Sequence, residues 1–293
     1  MPHGECGRCL LAEVCSYPKV FESAAASGGL LPQAQDAPRP FLLLPPLPGR
    51  TRIDWDEGPV APSAWQQKQI NYTPGQDIIF GLTLLGPAVA ALPYFIYAAQ
   101  LLARNGLGAD RAPFALTRVA MVDEAGRTTV IYAQNDTRIR PHAGARPLRD
   151  WVEARLARLS GGDTLTAHFL TPLRLRQRQT RQEAVDFVQL CKAASLRLSL
   201  LAQLYGAAPL EYDYQQLLAW AREARTVSAD FPQQELPRYS NRQGRTIAMD
   251  GLLGTARYAS PRMREFLPLL AAGEFLHLGS GTALGLGRYR LAD

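Results

Sequence analysis

The chain has 293 residues, of which 47% are hydrophobic, 20% charged and 9% aromatic; this is the balance of a globular protein able to bury a full core, and it excludes a wholly disordered or fibrous chain. Its 32 Lys and Arg against 26 Asp and Glu leave +6, and because lysine occurs only at Lys19, Lys68 and Lys192 the excess is arginine, whose planar fork suits phosphate and points to an acidic partner such as nucleic acid. The longest apolar run, Ile78 to Leu92, is broken by Gly81, Gly86 and Pro87 and stopped by Pro93, so it is too short and interrupted for a bilayer span; MPHGECGRCL at the N-terminus lacks the order of a secretion signal, and the expectation is a cytoplasmic protein with no membrane partner.

In chain order, residues 24–69 are rich in proline, which forbids long helices and leaves loops around short extended pieces. Asp77 to Leu85 reads as a strand after the turn Thr73-Pro74-Gly75. Pro93 to Arg104 reads as a helix stopped by Asn105-Gly106. Leu116 to Asp123 and Thr128 to Ala133 follow as a hairpin around Glu124-Ala125-Gly126. After a helical piece, Leu148 to Leu159, and the break Ser160-Gly161-Gly162-Asp163, a second round begins. Thr164 to Arg178 is predicted as a strand, Ala184 to Leu204 as a long amphipathic helix and Tyr214 to Ala224 as a shorter one. Met249 to Tyr258, Met263 to Gly273 and Phe275 to Leu278 then give strand, helix, strand. Two such units in tandem predict an α+β architecture of two ferredoxin-like, or RRM-like, domains at 1–160 and 161–293.

Near the C-terminus, Gly279, Gly281, Gly285 and Gly287 fall within nine residues. No Gly-Lys-Ser/Thr occurs, and too little chain follows Gly287 for a crossover helix, so neither a P-loop nor a dinucleotide fold fits. The glycines let a late loop pack closely, or let backbone N–H groups approach a sugar-phosphate chain. The whole stretch MDGLLGTARYASPRMREFLPLLAAGEFLHLGSGTALGLGRYRL resembles the C-terminal signature of the CRISPR RNA-processing endoribonucleases of the RAMP superfamily. The glycine-initiated strand is matched by Gly251 to Tyr258, the apolar helix by Phe266 to Ala272, and the G-x-G-x-x-x-G-x-G loop with its aromatic by Gly279, Gly281, Gly285, Gly287 and Tyr289. RYSNRQ (238–243), FLTPLRLR (169–176), PGQDIIFGLTLLG, LPYFIYAAQLLARNGLG and RPFLLLPP are similar to other family blocks. The resemblance spans most of residues 6–291. It implies two ferredoxin-like domains that bind CRISPR repeat RNA and cut it once per repeat without metal. Where the family often carries Lys after the first loop glycine, this chain has Ser280.

Metal-free cleavage needs the ribose 2′-OH in line with the adjacent phosphorus, a base, an acid and positive charge. His277, two residues before the loop where the resemblance places a histidine, is one candidate for acid/base or phosphate contact; its alternative is a structural histidine. Tyr239 and His3 are further catalytic candidates, while His168 reads as packed and His142 as a loop residue. Arg174, Arg176 and Arg178 alternate with Leu173, Leu175 and Gln177, which on a strand puts three guanidiniums on one face as a phosphate track; the alternative is a charged edge strand. Arg238, Arg242, Gly279, Ser280, Gly281, Gly285, Gly287 and Arg288 complete the expected RNA-binding set. No cofactor is expected for catalysis. Cys6, Cys9 and Cys15 form C-x2-C-x5-C, whose first pair has metal-knuckle spacing; with His3 or Cys191 as a fourth ligand they would hold a structural zinc or an iron-sulfur site, against the alternative of loop cysteines and a core Cys191.

Three functions therefore stand open: a repeat-RNA endonuclease, a catalytically silent RNA-binding subunit of a CRISPR effector complex, and a metal-stabilised binding protein unrelated to RNA. Only MPHGE precedes Cys6, whereas the resemblance places a strand and a helix before the cysteine segment, so the first domain is expected to lack its initial strand and helix.

Overall fold

The computed structural model describes residues 37–47, 72–108, 110–175, 183–232, 237–240, 245–248 and 251–293, with no side chains described between 233 and 250. In the first half, strand β1 (Phe41–Leu44) pairs antiparallel with β2 (Gly81–Leu84), Phe41 opposite Leu84. The expected strand 77–85 is thus only its last part. A 3₁₀ turn, Gly86–Ala91, runs into helix α1 (Leu92–Asn105). That helix stops where the Asn105-Gly106 signal predicts, because Gly106 takes φ 80°, a conformation open to residues without a Cβ. Ile96 of α1 packs on Ile131 and Tyr132 of the hairpin formed by β3 (Arg118–Val122) and β4 (Thr128–Ala133). The Asp123 carboxylate closes the hairpin turn by accepting from the Ala125 and Arg127 N–H groups at 3.0 and 2.8 Å. One correction concerns membrane length: Gly86–Asn105 is apolar and long enough, by composition alone, to cross a bilayer. It nevertheless buries Ala88 and Ala91 against Phe41, and its Gln100 donates to the Tyr132 hydroxyl at 2.7 Å.

The second half is a complete split β-α-β-β-α-β unit. Its strands are β5 (Thr164–Leu173), β6 (Arg225–Asp230), β9 (Leu252–Ala259) and β10 (Tyr289–Ala292), its two main helices α3 (Phe187–Tyr205) and α5 (Met263–Leu276). A shorter helix, α4 (Tyr214–Glu223), precedes β6, and the hairpin β7 (Pro237–Ser240) and β8 (Arg245–Ala248) lies between β6 and β9. The antiparallel sheet order is β10-β5-β9-β6, that is fourth, first, third, second strand of the unit, which is the ferredoxin-like arrangement. Together with the α+β first half this fits the tandem architecture expected from the sequence. Asp186 begins α3 with a reciprocal capping box to Gln189, at 2.7 and 3.0 Å, and Asp213 caps α4 through the Gln216 N–H at 2.8 Å. The core lies between this sheet and its helices, around Leu165, Phe169, Phe187, Tyr258, Phe266 and Tyr289. Within it the Phe187 and Phe266 rings meet edge to face at 4.9 Å.

Helix α2 (Leu148–Leu156) precedes the expected boundary at 160 but packs on the second unit, with Trp151 edge-on to Phe275 at 5.6 Å. Its Arg155 is buried, bonding Glu274 of α5 at 2.7 and 3.2 Å and the Leu291 carbonyl at 2.6 Å. A buried ion pair is tolerated only when its remaining hydrogen-bonding capacity is met; here the Leu291 N–H also donates to Glu274 at 2.5 Å.

Two predicted strands are corrected. Phe275 to Leu278 is not a strand: α5 continues through Leu276, and the closing strand of the sheet is β10, beyond the glycines. Of the expected strand Thr164 to Arg178, β5 takes Thr164–Leu173, Arg174 and Leu175 lie beyond it, and 176–178 lie outside the described residues. Pro172 has no N–H for the ladder, and the pairing with β9 shifts register between Phe169 and Leu173.

Candidate functional site

Arg174 lies just beyond the end of β5 at Leu173, and Arg176 and Arg178 lie outside the described residues, so the expected three-arginine track falls largely outside what the structure describes. What the fold does bring together is Arg174 and the glycine loop between α5 and β10. The Arg174 carbonyl accepts from the Ser280 N–H at 2.9 Å and, at 3.4 Å, from its hydroxyl. Gly279 can sit there only because it lacks a side chain: at φ 77° a Cβ would come within 2.4 Å of that carbonyl oxygen. Gly279 and Gly281 are exposed and Ser280 is half-buried, so they form an outer lip beside Arg174.

The inner half of the same loop is interior. Gly285 and Gly287 are buried; a Cβ on Gly285 would meet Pro45 and Leu43, next to and within β1, and one on Gly287 would lie 1.8 Å from the Leu278 carbonyl. The Thr171 hydroxyl ties this half down by donating to the Gly285 carbonyl at 2.8 Å and accepting the Arg288 N–H at 2.8 Å. Two of the glycines are thus buried and two form a surface lip, of which Gly279 is also pressed against the Arg174 carbonyl. Arg288, expected on the RNA-binding surface, is 6% exposed, because it belongs to the buried return of the loop into β10.

His277 ends α5 and turns the chain into the loop, rather than closing a strand. Its backbone, φ 54° and ψ 158°, occupies a region that is costly for any residue with a Cβ. The ring is 1% exposed. Burial first, then the positive charges of Arg288 and Arg197, hold its pKa down to about 3, opposed by a hydrogen bond to the Leu286 backbone. Among the described residues Nδ1 has no partner, so the bond to Leu286 falls to Nε2. The imidazole is therefore neutral at physiological pH and turned inward, an arrangement suited to holding the loop more than to meeting a substrate from outside. His168, read from sequence as packed, is half-buried on β5 with its Nδ1 3.0 Å from the Thr255 hydroxyl; desolvation lowers its pKa. His142 lies in a loop, as predicted, its ring 3.0 Å from the Arg140 carbonyl.

Arg238 and Tyr239 lie on β7, with Arg238 paired opposite Ile247 and Tyr239 opposite Thr246 of β8. Sequence reasoning missed this hairpin and β6, although the strand-turn-strand order in RYSNRQGRTIA was there to find. Arg242, His3, Cys6, Cys9 and Cys15 lie outside the described residues. Cys191 is buried in the core beside Phe187 and Leu190, its thiol pushed far up by burial and by the Asp186 charge, the packing alternative of the two considered. Among the described residues no three His, Cys, Asp or Glu side chains converge as metal ligands. Sequence reasoning also missed Thr171, which ties down the inner half of the loop, and Arg197 of α3, whose Nε donates to the Leu276 carbonyl at the loop's entry at 3.0 Å.

Residues 167–289 match the family profile of the CRISPR-associated endoribonuclease Cas6, and residues 1–144 match a profile described as an N-terminal domain. Among solved structures, a Cas6 product complex aligns over 88% of this chain and 84% of its own at 18% identity and TM-score 0.46. Cas6 of Thermus thermophilus aligns over 88% and 83% at 16% identity and TM-score 0.43. No curated protein sequence matches the chain.

Proposed function

From a chain whose residues 167–289 match the profile of the CRISPR-associated Cas6 endoribonuclease family, we propose a protein that binds CRISPR repeat RNA and cleaves it by 2′-OH attack without metal, leaving a 2′,3′-cyclic phosphate and a 5′-OH. The observation that carries the reading is the juxtaposition of Arg174 with the exposed lip Gly279-Ser280-Gly281. An arginine beside bare backbone and a hydroxyl can hold a phosphodiester and offset the charge that develops as the 2′-oxygen attacks. The Arg238, Tyr239 and Arg242 hairpin segment supplies contacts to the flanking strand, through guanidinium–phosphate bonds and stacking on a splayed base. With the His277 ring turned inward, proton transfer falls to Tyr239 and His3, and His277 supports the loop from below. In this reading the protein works in the cytoplasm and passes its product to effector-complex subunits.

The second reading, a silent RNA-binding subunit, is favoured by one observation, the burial of the loop histidine. Incubation of labelled repeat RNA with the protein in EDTA separates the two. A product with cyclic phosphate and 5′-OH ends supports the nuclease, and intact bound RNA supports the silent subunit.

A further inference from the structure

Arg197 lies on α3, outside every motif of the loop, yet it is 6% exposed and its Nε reaches the carbonyl of Leu276, the last residue of α5. Carbonyls at a helix C-terminus lack intrahelical partners and carry the negative end of the macrodipole, so a guanidinium is well suited to hold one. Directly after that carbonyl comes His277 in its strained conformation, and directly after His277 the Leu278 N–H donates to the Gly287 carbonyl at 2.9 Å. Such strain persists only where neighbours over-determine it. Here two bonds bracket the strained residue, one from Arg197 and one from within the loop. Downstream, the lip is fixed through Ser280 to the Arg174 carbonyl and the return through the Thr171 hydroxyl. Arg197 is thus the clamp at the loop's entry.

The clamp carries more charge than a helix cap needs. Nη2 is buried without a partner among the described residues, and burial pulls the guanidinium down only to about 10, so it remains a cation at neutral pH. A buried cation is costly unless it is paired or hydrogen-bonded, and its field in a low-dielectric interior is weakly screened. It lies close enough to His277 to depress that ring's basicity. Close by on α3, the Tyr205 hydroxyl donates to the Pro38 carbonyl at 2.7 Å, tying the same region to the segment that leads into β1.

We propose that Arg197 is a positioning residue for RNA cleavage: by holding the Leu276 carbonyl it sets where the glycine lip stands relative to Arg174, and with it the in-line placement of the phosphodiester. The inference rests on the nuclease reading above. The test is single-turnover cleavage of labelled repeat RNA at saturating enzyme by the wild type, Arg197→Lys and Arg197→Met, with affinity measured in parallel. A misplacement of the order of 1 Å costs about a hundredfold in rate, so Arg197→Met is expected to lose about that much in rate constant while its affinity changes less than about threefold. Arg197→Lys, which keeps a cationic donor, recovers most of the rate. A merely structural role lowers the amplitude of cleavage, through the fraction folded, and leaves the rate constant unchanged; that result overturns the proposal, as do wild-type rate constants in both variants. If Arg197→Met does not fold, Arg197→Gln takes its place under the same criteria. A wild type that fails to cleave sinks the nuclease reading and this one together, whereas a cleaving wild type with equally fast variants sinks this one alone.

Discussion

Replacing Gly279 by alanine perturbs the lip at one atom, and the size of the effect can be worked out before measurement. At φ 77° an added methyl group meets the Arg174 carbonyl oxygen at 2.4 Å and its carbon at 2.9 Å. A left-handed conformation costs an L-residue about 1–2 kcal/mol. The obstacle is backbone, which cannot rotate aside, so the lip must lift and the Ser280 N–H loses the same carbonyl, a further ~1 kcal/mol. The sum, roughly 2–3 kcal/mol, lowers the melting temperature of a domain of this size by about 4–12 °C at ~2–4 °C per kcal/mol. Gly281→Ala is a graded control: φ is 80°, but the nearest atom is the end of the Leu286 side chain at 2.8 Å, which can yield, leaving only the ~1–2 kcal/mol conformational term. Gly162→Ala is the neutral control, with nothing within 4 Å. Thermal melts rank the three variants, and binding of labelled repeat RNA shows whether lifting the lip also weakens the substrate site. If Gly279→Ala melts with Gly162→Ala, the lip is not pressed against the end of β5 and the described site geometry is wrong.

Arg174→Gln is expected to weaken RNA binding and to lower the slope of log affinity against log salt by about 0.7 for a single-stranded contact; an unchanged slope means its guanidinium does not reach the backbone. Because the folded-state pKa of His277 is depressed to about 3 from 6.5, the folded protein binds fewer protons than the unfolded chain between those values. The contribution of His277 to stability is therefore fully present above pH ~6.5 and is lost as pH falls toward ~3, at up to ~1.4 kcal/mol per pH unit. Denaturant midpoints across that window should flatten in His277→Gln, and parallel profiles would show that the ring is not buried neutral. For Cys6, Cys9 and Cys15 we propose one structural zinc per chain; elemental analysis should find close to one equivalent, and stable, folded, metal-free protein would leave them as loop cysteines.

Helix existence and helix ends were the most legible features, because they depend on local chemistry. Asn105-Gly106 stops α1 and Asp213 starts α4 without help from the rest of the fold. Strand ends depend on partners that sequence does not display. The alternation Leu173-Arg174-Leu175 looks the same whether or not a neighbour pairs with it, and β5 ends at Leu173, which pairs with Leu252, the first residue of β9. β6 was missed because all six of its residues are exposed, which removes the apolar alternation that marks a strand. Phe275 to Leu278, short and apolar, fits either a strand or the last turn of a helix, and the distinction came from the length of α5. The glycine loop was legible as a loop needing close backbone approach. Its division into a buried half under β1 and an exposed half beside Arg174 was not, since residues 41–45 and 171–174 meet it from more than a hundred positions away. His277 shows the same limit: its residue type suits acid/base chemistry, and only the packing shows a ring held neutral in the interior.

The most direct test of the proposed function is to incubate purified protein with labelled CRISPR repeat RNA in excess EDTA and to analyse the ends of the product. Metal-free 2′-OH attack predicts one cut per repeat, with a 2′,3′-cyclic phosphate on the upstream fragment and a 5′-OH on the downstream one. RNA that stays intact while bound, or cleavage that EDTA abolishes, would contradict it.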